Sequence, residues 1–123
     1  DERFELAAAQ NGIPTLDVGD ADVVSGVVKS VAYENTIRAM APEVIVTDEL
    51  FRASEAAAVC DIVRSGVKVF ASLHGDGVES ALRSAAFACL KEVMEVYILL
   101  SPTPRVGTVR KVMTAQALAE ATP

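Results

Sequence analysis

The stretch Val44-Ile45-Val46-Thr47-Asp48-Glu49 decides the fold. It is a β-branched run without polar alternation, and it ends in two adjacent carboxylates. Such a run predicts a strand covered on both faces, as in parallel sheets. Upstream, Tyr33, Ile37 and Met40 recur at helical spacing, which predicts a helix over residues 27–41 that Pro42 stops. Downstream, Ser54 is the expected N-cap of a second helix. Ala56, Val59, Cys60 and Val63 give that helix an apolar stripe, and Gly66 is placed to end it.

The pattern then repeats. Residues 67–73 read as a second buried strand, and His74-Gly75-Asp76-Gly77 as a turn. A helical region is expected over 78–92, broken near Ser84. Strands follow at 96–100 and 108–113, separated by a loop with Pro102, Pro104 and Gly107. Residues 1–10 read as a strand end and a short helical turn, broken by Asn11-Gly12 and Pro14. Residues 114–121 are an Ala-rich helical tail. The alternation of strand and helix is the signature of a three-layer α/β domain with a parallel sheet. Ligands in such sheets gather at the carboxyl ends of the strands, here Asp48, Glu49, Ser72, His74 and Ser101.

Composition narrows the classes. A chain of 123 residues that is 51% hydrophobic and 23% charged suits one folded domain rather than a disordered segment. A formal net charge of -6 gives no support to nucleic-acid binding by phosphate neutralisation. The apolar stretches are too short to span a bilayer, and no signal peptide is visible. Because the chain opens with Asp1 rather than Met, its natural N-terminus is expected to lie upstream. Cys60 and Cys89 lack metal-ligand spacing and fall among apolar positions, so both are expected to be buried free thiols in a reducing compartment.

The chemistry centres on the acidic strand end. Successive strand side chains point oppositely. One acid can therefore face a magnesium shell while the next reaches an attacking water, the two tasks phosphoryl-transfer ATPases require. Asp48 is the candidate for the first and Glu49 for the second. His74, the single histidine, follows the second strand at the same rim and could donate a hydrogen bond to a γ-phosphate. Arg3, Arg38 and Arg52 are guanidinium groups of a kind that suits phosphate charge. The simpler reading makes the acids a solvated strand end, His74 a turn residue and the arginines ordinary surface.

In order and spacing these segments resemble the stage III sporulation protein AA family. Asp1-Glu2-Arg3 with Glu5, then Gly12-Ile13-Pro14, Asp17-Val18-Gly19 and Asp22-Val23-Val24, follow its pattern. The stretch from Ile37-Arg38-Ala39-Met40-Ala41-Pro42 through Asp48-Glu49-Leu50 resembles its Walker B segment. Ser65-Gly66-Val67-Lys68-Val69 and Ser72-Leu73-His74-Gly75 continue in register. Phe51, where the family tends to have Gly, and most of Ser25 to Tyr33 beyond Gly26 and Lys29 depart from it. The wider kin are the type II and type IV secretion ATPases.

The resemblance implies a three-layer RecA-like P-loop NTPase core with a mainly parallel sheet and a C-terminal β-hairpin, over residues 1–113, before a tail at 114–123. It implies Glu49 and His74 as catalytic and Asp48 as the magnesium-side acid. It implies Glu2 and Arg3 as acidic-segment positions; with Arg38 and Arg52, read from their guanidinium groups, and Ser72, read from its place at the rim, these are the nucleotide-binding candidates. It further implies ATP and Mg²⁺ as cofactors and a homo-oligomeric ring, cytoplasmic and peripheral to a membrane-associated secretion-like complex, with no nucleic-acid partner. No Gly-x-x-x-x-Gly-Lys-Ser/Thr loop occurs in the chain. The core is therefore expected to lack its phosphate-loop strand, which in this class lies between strands 67–73 and 96–100. A gap there is expected to be kept rather than closed, and the chain alone to be inactive. The alternative is a non-catalytic α/β interaction and oligomerisation module. A small metal-dependent phosphohydrolase is weaker, because further Asp or His ligands are missing.

Overall fold

The computed structural model describes residues 1, 6–11, 13–84 and 87–121. The elements are α1 Lys29–Met40, β1 Val44–Glu49, α2 Ala53–Arg64, β2 Lys68–Ser72, α3 Val78–Arg83, a 3₁₀ turn Ala88–Glu92, β3 Val96–Ser101, β4 Thr108–Thr114 and α4 Ala115–Ala121. They divide into two units, residues 1–73 and 74–123.

In the first unit β1 and β2 form a parallel pair joined through α2. α1 packs on α2, and α2 packs on β2. Tyr33, Ile45, Leu50, Ala56, Val59, Cys60 and Ile62 are its principal core side chains. Ile45 is paired with Val69 and faces the helices. Val44 and Val46, paired with Lys68 and Phe70, lie on the opposite face of the pleat. That face is open: Val46 is 58% and Phe70 66% exposed. The expectation that both strands are covered on both faces is therefore corrected. Apolar β-branched composition favours a strand but does not supply the second covering layer. The described residues of this unit give one helical layer on a two-stranded sheet.

The α2 boundaries also differ from the expected ones in one respect. Ser54 lies inside the helix and Arg52 occupies the N-cap position. Arginine has no acceptor atom for that task. Glu55 instead reaches back from the first turn, its Oε2 accepting from Phe51 N at 2.6 Å and Arg52 N at 3.2 Å. A carboxylate in the first turn also suits the positive end of the helix. At the other end Gly66 N donates to Val63 O and Val67 N to Ile62 O. With Gly66 at φ 99° this is a Schellman ending, which glycine adopts without a Cβ clash.

The second unit holds the expected hairpin. β3 and β4 pair antiparallel from Val96↔Thr114 to Ser101↔Thr108. The expected helix over 78–92 is broken where anticipated, with α3 ending at Arg83 and a 3₁₀ turn resuming at Ala88. Leu82, Leu90, Met113 and Leu118 are its buried apolar side chains. β2 and β3 fall in separate sheets, so direct pairing of strands 67–73 and 96–100 is absent among the described residues.

Near the N-terminus the described residues 6–11 are bends and an isolated bridge, Gln10↔Ile13, rather than the expected helical turn. Ala7 is buried, and its carbonyl accepts from Thr15 N and Leu16 N. Those long-range bonds hold the segment without helix. Cys60 is a buried free thiol as expected, whereas Cys89 is only half-buried. No described helix is long and apolar enough to cross a membrane.

Candidate functional site

β1 carries one residue too many for its partner. Between Val46↔Phe70 and Glu49↔Ser72 it spends three residues against two in β2. The extra residue is a β-bulge, which suspends the strict alternation of faces. Both Thr47 and Asp48 are consequently buried, although they are neighbours in sequence. The next step separates the two acids: Asp48 is buried and Glu49 half-buried.

Thr47 and Asp48 both meet α1. Lys29 Nζ stands 3.0 Å from Asp48 Oδ1, with the two side chains 5% and 4% exposed. One turn further along the helix, the Tyr33 hydroxyl lies 2.7 Å from Thr47 Oγ1 in a buried hydrogen bond. Positions four apart on a helix share a face, so Lys29 and Tyr33 address the two residues that the bulge turns inward. Burial pushes the Tyr33 hydroxyl above its ordinary pKa of 10.0, an effect that the Thr47 hydrogen bond and nearby Lys29 oppose. Asp48 and Lys29 touch as an ion pair without hydrogen-bond alignment. Asp48 Oδ2 has no hydrogen-bond partner among the described residues.

Glu49 is the last residue of β1, half-buried, and in register with Ser72, the last residue of β2. Leu50 N donates to Ser72 O at 2.8 Å, which fastens the two strand ends together. Glu55 then fixes Phe51 and Arg52, the next residues of the turn. Asp48, Glu49 and Ser72 thus gather at the carboxyl rim of the parallel pair. Leu6, Val46, Thr47, Asp48, Phe70, Ala71 and Ser72 line an open depression of about 420 Å³ there.

The remaining candidates are less integrated. Arg38 pairs with Glu34 at 2.9 Å along α1, and both side chains are mostly exposed. Arg52 is exposed at the start of α2, and His74 is exposed two residues beyond β2. Glu2 and Arg3 lie outside the described residues. The sequence did not reveal the buried contacts of Lys29, Tyr33 and Thr47, or the bonds of Glu55 to the turn. The available signals were a Lys and a Tyr four apart on a helix, and a Thr-Asp step inside an apolar strand. No cluster of three His, Cys, Asp or Glu side chains able to cage a metal exists among the described residues. Magnesium does not require one, since it binds through one or two carboxylates, several waters and substrate phosphates.

These features define a small α/β protein with a parallel strand pair ending in adjacent carboxylates, and an antiparallel C-terminal hairpin. The chain belongs to the family described as sporulation stage III, protein AA, which matches residues 1–118. It is 31% identical over 115 residues to stage III sporulation protein AA of Bacillus subtilis (strain 168), covering 91% of this chain and 38% of that relative. The chain therefore spans well under half the length of this curated relative. No solved structure matches it.

Proposed function

We propose that the chain is the catalytic-carboxylate part of a RecA-like ATPase acting in sporulation, within a longer polypeptide that supplies the phosphate-binding loop. The observation that carries this reading is the rim: Glu49 and Ser72 in register at the ends of parallel strands, beside the buried Asp48. In this reading Glu49 orients the attacking water and accepts its proton. Asp48 holds a water of the magnesium shell, and Ser72 and His74 face the nucleotide. The bound metal supplies charge neutralisation of the phosphates. ATP is the substrate, and a homo-oligomeric ring at a membrane-associated complex is the expected working form. Family membership supports the sporulation context.

In the full-length polypeptide, Glu49→Gln is expected to keep nucleotide binding and to lower turnover by roughly 100-fold or more, the scale on which a positioned general base acts. Fluorescent-nucleotide binding and phosphate release read the two quantities separately. Unchanged turnover in folded protein would return Glu49 to the status of a solvated strand end. The second reading, an interaction module without turnover, draws on the open apolar face at Val44, Val46 and Phe70. It requires equal phosphate release from the parent and Glu49→Gln proteins, at background level.

A further inference from the structure

We propose that Lys29 is a resident counter-cation for Asp48, occupying the carboxylate that a hydrated divalent cation engages through its water shell in the working protein, and that it must withdraw before that cation binds. The inference rests on the ATPase reading for the identity of the cation, but its chemistry is local to α1 and β1. Lys29 is the first residue of α1, and that helix has no acidic residue in its first turn and no side-chain cap. A cation at a helix N-terminus opposes the helix dipole. Burying an ammonium is costly unless an anion accompanies it. Asp48 is that anion, at 3.0 Å.

The pairing is incomplete in a way that leaves room for exchange. Asp48 Oδ2 is buried with no hydrogen-bond partner among the described residues, so one side of the carboxylate has unspent acceptor capacity. Its backbone is pinned within the strand pair, whereas Lys29 ends a flexible four-carbon stem at the mouth of a helix. A hydrated divalent ion and an ammonium cannot both share one buried carboxylate without strong repulsion. Occupancy by one therefore excludes the other. Lys29 keeps Asp48 neutralised and oriented when the cation is away, and sets a threshold for cation entry. It is a positioning residue rather than a catalytic one.

The test uses the full-length polypeptide without nucleotide. Mn²⁺ binding is read by the loss of the free-ion electron paramagnetic resonance signal. Lys29→Gln is expected to bind Mn²⁺ roughly ten-fold or more tightly than the parent, because a like charge has been removed from contact distance. Adding Asp48→Asn to that variant should abolish the gain. In chelator, Lys29→Met should melt roughly 6–20 °C lower than the parent, and millimolar Mg²⁺ should restore part of the loss. The parent should respond little. No gain in Mn²⁺ affinity for Lys29→Gln, or a gain that survives Asp48→Asn, overturns the proposal. If both Lys29 variants are unfolded, circular dichroism decides: recovery of helix on adding Mn²⁺ supports the exchange, and no recovery overturns it. Tighter Mn²⁺ binding in a protein that never hydrolyses ATP would leave this inference standing and remove the ATPase reading. An active ATPase with no such gain would remove this inference alone.

Discussion

Tyr33 shows what the polar layer between α1 and β1 contributes residue by residue. Its hydroxyl and that of Thr47 satisfy one another in a buried position. Tyr33→Phe leaves Thr47 without its partner and is expected to cost about 1–3 kcal/mol in urea unfolding. Tyr33→Phe with Thr47→Val should recover most of that, since removing both partners leaves no orphan. The same tyrosine predicts a pH dependence. Its folded pKa is raised above the unfolded value of 10.0, so the fold favours the protonated form. The associated stability is fully present below pH 10.0 and is lost as pH rises through the raised folded value. Urea midpoints measured across the alkaline range should fall less steeply in Tyr33→Phe than in the parent; parallel curves would refute the assignment. Single residues were only partly legible in the sequence. Asp48 and Glu49 stand out because carboxylates end an apolar run. Lys29 does not, because its partner lies across the fold and no periodicity links positions 29 and 48.

At the scale of elements, α2 depends on a residue that follows its start. Glu55 receives two backbone donors, and these belong to the turn directly after Glu49 and Leu50. Glu55→Ala is expected to cost about 0.5–2 kcal/mol, as loss of a capping side chain does. Hydrogen exchange at Phe51 and Arg52 should accelerate together; protection unchanged at both would show that another group holds the turn. Element order was largely readable: β-branched runs, Pro42 and Gly66 mark where strands and helices begin and end. The two strands 96–100 and 108–113 were readable around a Pro- and Gly-containing loop, and their pairing as a hairpin was implied by the family resemblance. Cap chemistry was not. Ser54 carries the stronger local N-cap preference, but the turn out of β1 starts the helix earlier, and Glu55 ties that turn down by reaching back to Phe51 and Arg52. The bulge was equally hidden, because Val46-Thr47-Asp48-Glu49 looks like an ordinary strand until its partner's register is known.

Across the whole molecule, apolar surface remains uncovered in both units. Val44, Val46 and Phe70 form one open face. On the hairpin, Val96, Ile98, Leu100, Val109 and Val112 are each more than half exposed. Large contiguous apolar surface of this kind promotes association, and a net charge of -6 is a modest counterweight. The 123-residue chain by itself is expected to self-associate as its concentration rises, in sedimentation velocity. Phe70→Lys combined with Ile98→Lys should reduce the association with little change in melting temperature, because neither side chain is part of a core. Monodisperse behaviour of the parent chain at high concentration would contradict this. Composition alone indicated apolar strands, but whether a strand is covered depends on neighbouring layers, which hydropathy does not report.

The extra residue in β1 has an evolutionary implication. In a regular strand, removing one residue reverses every side chain beyond the cut. Here a deletion within Thr47-Asp48 would restore even pairing with β2 and cost the inward-facing pair one of its members. Lys29 or Tyr33 would then lose its counterpart on β1, whatever residue type remained. Substitutions along β1 can drift while the arrangement survives, but a change in its length cannot be absorbed. Relatives that keep a Lys and a Tyr four apart on the preceding helix should therefore conserve the number of residues in this strand more strictly than their identities.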